Sequence, residues 1–263
     1  MEFRLWDAHC HIGWFADPVT VAREAAKMGL GMLGVTVVPR EFLAIRPALR
    51  DEKNVMLAAG LHPWWVQGAA DCDELLDAIS GLHFIGEIGL DASPKHLESW
   101  DAQLAAFERI CTACADASDG TAPKVLSIHA VRSASTVFDV LERTSAAERC
   151  RCALHWFSGS SEELWRAVDL GCLFSLGERS LATRRGREYA RILPADRLLT
   201  ETDLPEHEAS PATASDIASS LERTVSAIAA ARGISADEVR HLVASNSEAL
   251  LAQSVHNPPA PSW

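Results

Sequence analysis

The sequence predicts an α/β protein of the (β/α)8 TIM-barrel class with an additional C-terminal helix. Short apolar, β-like runs alternate with helical patterns from end to end, eight such runs can be counted, and they occupy nearly all of the 263 residues, the length that one such barrel requires. A doubly wound open sheet would use the same alternation. Its Gly-rich turn after the first strand is missing, however, and a histidine pair stands there instead.

In chain order, strands are expected at residues 3–9, 33–38, 55–61, 84–88, 125–129, 152–155, 172–175 and 197–200. The clearest helical periodicities between and after them fall at 97–117, 134–142, 162–170 and 212–231, and a last helix is expected at 236–251. Residues 1–253 are read as one barrel. The tail 254–263, which ends Asn257-Pro-Pro-Ala-Pro-Ser-Trp263, is read as disordered.

With 48% apolar residues and a mean hydropathy of +0.02, the chain can bury a sizeable core. A net charge of −12 argues against a broad electrostatic grip on nucleic acid. An anionic substrate would have to be held locally, and bound divalent cations can do that inside an acidic protein. No basic segment followed by an apolar run opens the chain and no apolar stretch approaches transmembrane length, so a cytoplasmic location is expected. Seven cysteines without the spacing of a disulfide framework fit a reducing compartment. Cys111, Cys114, Cys150 and Cys152 can be imagined as a zinc cluster, but the first pair lies in a helical pattern and the second opens a strand. Buried thiols are the better reading.

The polar residues at the strand ends carry the chemistry, because barrel active sites gather at the carboxyl ends of strands far apart in sequence. His9 and His11 close the first strand, His62 follows the third, Glu87 ends the fourth, His129 the fifth and His155 the sixth, and Asp203 follows the eighth. Strand alternation would point Asp7, His9 and His11 the same way, so two imidazoles could converge on one ion. Glu87 stands between apolar neighbours, where an unpaired carboxylate is costly to bury and metal ligation is the cheaper explanation. Singly, a strand-end histidine can cap a carbonyl and Asp203 can be a loop acid. Together they supply enough ligands for two divalent ions bridged by one carboxylate.

On these motifs the chain resembles the TatD family of metal-dependent hydrolases, from the first strand nearly to the end. Asp-Ala-His-Cys-His at 7–11 is similar to the family's D-x-H-x-H, Gly60-Leu61-His62-Pro63 to its G-x-H-P, and Gly86-Glu87-Ile88-Gly89-Leu90-Asp91 to its G-E-x-G-L-D. Ile128-His129, His155-Trp156-Phe157-Ser158-Gly159 and Glu201-Thr202-Asp203-Leu204-Pro205 look like its later motifs, and Asn246 falls where its closing helix carries an Asn. The resemblance implies that His9, His11, Glu87 and Asp203 hold one ion and that Glu87, His129 and His155 hold a second. It also implies substrate contacts at His62, Asp91 and Arg132. The implied activity is that of a TatD-like deoxyribonuclease, a 3′–5′ exonuclease trimming single-stranded DNA ends with two divalent ions, Mg2+, Mn2+ or Zn2+. Asp203, touching both metal and water, is the natural proton acceptor, and Glu87 is the bridging catalytic carboxylate.

Several positions depart from the family pattern. An Arg is common two residues after the histidine at 129, whereas Arg132 comes third. The loop after Asp203 carries Glu206 and Glu208, which would repel a DNA backbone. Trp64, Trp65 and Trp156 neighbour the site and can either stack on bases or pack under the rim. His83, His96, His241 and His256 lie outside the motifs and are read as ordinary surface or edge residues. Two other functions fit the ligand set: an ester or amide hydrolase such as a D-aminoacyl-tRNA deacylase, and a metal-binding partner subunit of a multi-protein anti-phage defence system, as the resemblance also allows.

Overall fold

Eight parallel strands form two ladders in the computed structural model, which describes residues 3–251. Strands β1 (Leu5–Cys10), β2 (Leu30–Gly34) and β3 (Val55–Leu57) make the first ladder. Strands β4 (Phe84–Asp91), β5 (Val125–Val131), β6 (Arg151–His155), β7 (Leu173–Leu176) and β8 (Leu198–Thr200) make the second. Two seams join the ladders into a barrel. At one, Ala59 bridges Ile85, with Gly86 N donating to Ala59 O at 2.9 Å. At the other, Thr200 Oγ1 donates to Trp6 O at 2.7 Å and Asp203 N to His9 O at 3.0 Å. The expected tail and His256 lie outside the described residues.

Helices α1 (Pro18–Lys27), α2 (Pro39–Leu49), α3 (Asp73–Ala78), α4 (Trp100–Ala117), α5 (Ala134–Arg143), α6 (Ala146–Arg149), α7 (Ser161–Asp169), α8 (Glu178–Leu181), α9 (Arg184–Ile192), α10 (Ala214–Arg232) and α11 (Ala236–Leu251) connect the strands and follow them. Several starts have a local cause. The Asp17 carboxylate accepts from Thr20 N at 3.0 Å, and Ser160 and Glu163 form a reciprocal box at the start of α7. The inner faces of these helices pack on the outside of the strands in one large core that includes Phe107, Phe138 and Phe174.

A second apolar cluster draws Trp6 and Ala8, Leu33, Phe84, Val125, Ala153 and Leu199 from six strands and fills the barrel interior, where Leu250 and Leu251 of α11 join it. Period-two alternation then fixes what lies above this layer. Val125 is followed inward by Ser127 and His129, Ala153 by His155, and Leu199 by Glu201. Asn246 Nδ2, on α11, donates to Ala195 O and Leu198 O, each at 2.8 Å, and ties the closing helix to the start of β8.

Two expectations shift. The second strand lies at Leu30–Gly34, not at 33–38, because the β-branched run that follows leaves the ladder. Thr36 N donates instead to Gly86 O at 3.1 Å, and Glu87 N to Thr36 O at 3.0 Å. The strand proper holds Gly31 and Gly34, poor strand formers that are needed because Trp6 and Ile12 occupy the space where their side chains would be. The third strand ends at Leu57 and continues as an irregular segment to His62.

Gly60, on that segment, has room for no side chain: a Cβ would stand 2.0 Å from Thr36 O and 2.4 Å from Glu87 N. Because backbone walls this contact, Gly60→Ala should lower unfolding stability by about 1–3 kcal/mol, read from the urea midpoint. Unchanged stability would contradict the close approach of the seam.

Candidate metal centre

Glu87 occupies a bulge. Ile85 pairs with Leu126 and Ile88 with Ile128, so Gly86 and Glu87 together oppose Ser127, and the carboxylate is turned into the cleft. Its two oxygens face different histidines. Oε1 lies 2.8 Å from His129 Nδ1 and 3.4 Å from His62 Nε2, while Oε2 lies 3.4 Å from His9 Nε2 and 3.7 Å from His11 Nε2.

Asp203 closes the other side. Its Oδ1 lies 3.3 Å from His11 Nε2 and 3.9 Å from both His9 Nε2 and His155 Nε2. The residue is held in a left-handed backbone conformation (φ 60°), unusual for a non-glycine. Asp7 fixes the loop beside it, accepting from Thr202 N at 3.0 Å and Thr202 Oγ1 at 2.5 Å. Strict alternation along the first strand does not hold. The register of β1 against β2 slips between Asp7 and Cys10, so His9 reaches the cleft while Asp7 braces the end of β8.

Within this cleft, three sets of potential donors lie within 4.8 Å of one another: His9, His11 and Glu87; His62, Glu87 and His129; and His9, His155 and Asp203. All six residues expected to hold metal are therefore brought together. His155 sits with His9 and Asp203, and His62, expected at the substrate, sits within the donor set of Glu87 and His129. Sequence reasoning gave no role to Glu201 or Ser127. Glu201 is buried, with Oε2 2.8 Å from His155 Nδ1 and accepting from Ser175 Oγ, and it fixes the imidazole from behind. Ser127 Oγ meets His9 Nδ1 at 2.9 Å. Their inward alternation above Leu199 and Val125 was the signal available.

The donor chemistry fits cations. His9 Nε2 and His11 Nδ1 are buried without a hydrogen-bond partner. Burial holds His62 down at about 4 and lowers His9 as well, with His155 beside it adding to the effect, so at both rings burial favours the unprotonated form, the one with a lone pair to give a cation. Although burial opposes it, Glu201 and Asp203 push His155 up to about 10, and Asp91 and Glu87 raise His129. Against the same opposition, His62 and His9 hold Glu87 far below the usual carboxylate range, and His155 and His11 do so for Asp203. A concentration of ionised carboxylates among imidazoles is a setting in which a divalent ion can replace the protons.

Asp91 accepts from Trp64 Nε1 at 2.7 Å and lies 3.2 Å from His129 Nε2. Arg132 is exposed and is not among the residues that line the cleft, whereas Arg179 is. Trp64, Trp65 and Trp156 remain 47%, 38% and 38% exposed, so they are not packed beneath the rim. Trp14 stacks on His11 with ring centres 4.4 Å apart. His96, read as an ordinary edge residue, stacks on Trp64 at 4.9 Å. All seven cysteines are buried thiols outside any disulfide, and no cysteine joins a metal-sized donor set among the described residues.

The chain is similar to several known proteins. The family model described as TatD related DNase matches residues 6–252. The uncharacterized metal-dependent hydrolase YcfH of Escherichia coli K12 is 24% identical over 263 residues, covering 92% of this chain and 93% of that one. The 3′–5′ ssDNA/RNA exonuclease TatD of Edwardsiella piscicida is 30% identical over 195 residues, covering 71% and 72%. Among solved structures, the TatD homologue YjjV of Escherichia coli superposes with a TM-score of 0.79 at 22% identity, covering 95% of this chain and 98% of that one, and this likeness establishes the barrel fold.

Burial pushes the Asp7 carboxyl up to about 7, the hydrogen bonds from Thr202 and His9 opposing it only in part. A carboxyl whose folded value lies above its unfolded value binds more protons folded than unfolded, so its contribution to stability falls as pH rises from about 4 to about 7. In protein stripped of metal with a chelator, Asp7→Asn should remove that component, at a slope of up to ~1.4 kcal/mol per pH unit. Parallel pH profiles for the two proteins in thermal melts would contradict this.

Proposed function

The chain belongs to the TatD-related DNase family, and on that premise we propose that it hydrolyses phosphodiester bonds with two divalent ions, trimming single-stranded DNA from the 3′ end. The observation that carries this reading is the buried Glu87 carboxylate, with one oxygen toward His9 and His11 and the other toward His129 and His62. The exonuclease name of the Edwardsiella relative supports the polarity.

His9, His11, Glu87 and Asp203 would hold one ion, and Glu87, His129 and His155 the other, with Mg2+, Mn2+ or Zn2+ as the candidates. When bound, such ions lower the pKa of the attacking water and neutralise charge on the phosphate. The chain does the rest. Asp203 turns Oδ1 to the imidazoles, and its Oδ2, 3.7 Å from Arg179, is the oxygen that would accept the proton of that water. Glu201 and Ser127 keep His155 and His9 in single orientations, so the donors are set before substrate arrives. His62 would meet the phosphate, Asp91 accepts from Trp64 Nε1, and the exposed faces of Trp64, Trp65 and Trp156 would offer platforms for bases.

End-labelled single- and double-stranded DNA incubated with each metal provides the test. Laddering from the 3′ end is expected for the native protein, and Glu87→Ala and Asp203→Ala should each reduce it by at least about 100-fold. Absence of cleavage with every metal, from protein that retains bound ions, would contradict the nuclease reading.

A further inference from the structure

Among the described residues that line the metal cleft, Arg179 is the only arginine or lysine. It stands in the first turn after β7, where sequence motifs gave no reason to look. Three contacts fix it. One guanidinium nitrogen is paired with Glu206 Oε1, another lies 3.7 Å from Asp203 Oδ2, and the group sits over the Trp156 ring, 5.4 Å from its centre. Arg179, Trp156, Asp203 and Glu206 also line a neighbouring cavity of about 540 Å³, so the Arg179–Glu206 pair stands between that space and the cleft.

A chain of net charge −12 needs a local cation to receive a phosphate that approaches Asp203. Arginine suits this role, since its planar fork matches phosphate oxygens and its face stacks on an aromatic ring. Half-exposed, Arg179 is bound to a carboxylate on a surface loop, and exposed pairs of that kind are weak. Substrate phosphate can therefore take the carboxylate's place. The same rim carries a second arginine: Arg185 donates to Ser158 O at 2.9 Å and Gly159 O at 3.4 Å in the loop after Trp156.

We propose, resting on the nuclease reading above, that Arg179 binds a backbone phosphate of the nucleic-acid substrate beside the metal centre, and that Glu206 is its built-in competitor, occupying the guanidinium until substrate displaces it. Glu206 then restrains binding by masking Arg179, which differs from the general repulsion expected of an acidic loop.

The test is binding of a fluorescent phosphorothioate oligothymidylate to the full chain, with Mn2+ present, followed by anisotropy across a range of salt. Arg179→Ala should weaken binding about tenfold and reduce the slope of log affinity against log salt by about 0.7, one single-strand phosphate contact. Arg179→Lys should restore the slope but only part of the affinity. Glu206→Gln should tighten binding about two- to fivefold, the range that an exposed ion pair supplies, and should have no effect when Arg179 is already alanine. Circular dichroism checks that each variant is folded. If the native protein binds and Arg179→Ala changes neither affinity nor slope, the role of Arg179 is overturned while the nuclease reading stands. Equal tightening by Glu206→Gln with and without Arg179 would overturn the masking. If the native protein binds no oligonucleotide with any metal, the nuclease reading fails and takes this assignment with it.

Discussion

The rest of the site depends on one constraint: a carboxylate, Glu87, is buried in the barrel mouth with histidines on both sides. In a low-dielectric interior such a group is tolerated only if positive charge reaches both of its oxygens. Protonated imidazoles supply part of that charge in the metal-free protein. At His62 and His9 burial favours the unprotonated ring, which has an electron pair to offer a cation. The cleft is thus built to exchange protons for cations, and His9 Nε2, buried without a hydrogen-bond partner, faces both Glu87 and Asp203 there.

The barrel is weakest in regular ladder where the site is richest. Glu87 lies at the seam between β3 and β4, and Asp203 at the seam between β8 and β1. Both seams are held by isolated contacts: Thr36 with Gly86 and Glu87 at one, Asp7 with Thr202 and His9 O with Asp203 N at the other. Release from the ladder lets a carboxylate turn into the mouth, and the substitute hydrogen bonds return the rigidity that ligand geometry requires. The left-handed backbone at Asp203 falls at one of these seams, where strain is held in place by the surroundings.

Much of this was legible in the sequence because it lies along the chain. The eight apolar runs, the histidines that end them, Glu87 between apolar neighbours and Asp203 before a proline were all visible, and the structure gathers them in one cleft. What escaped depends on neighbours across strands. The task of Glu201 is not visible beside Asp203 in the sequence, because only the inward stacking of Ser175, His155 and Glu201 shows it. Arg179 sits in a short helix whose proximity to Asp203 and Glu206 is a product of the barrel. The second strand was displaced toward its β-branched neighbours because the glycines of β2 are explained only by Trp6 and Ile12 on the adjoining segment.

The most direct test of the central claim is anomalous diffraction from crystals grown with Mn2+. Two peaks are expected about 3.5–4 Å apart, with one Glu87 oxygen at coordination distance from each, His9 and His11 at the first ion and His129 at the second. A lone peak that does not touch Glu87, or none at any occupancy of the cleft, would contradict it.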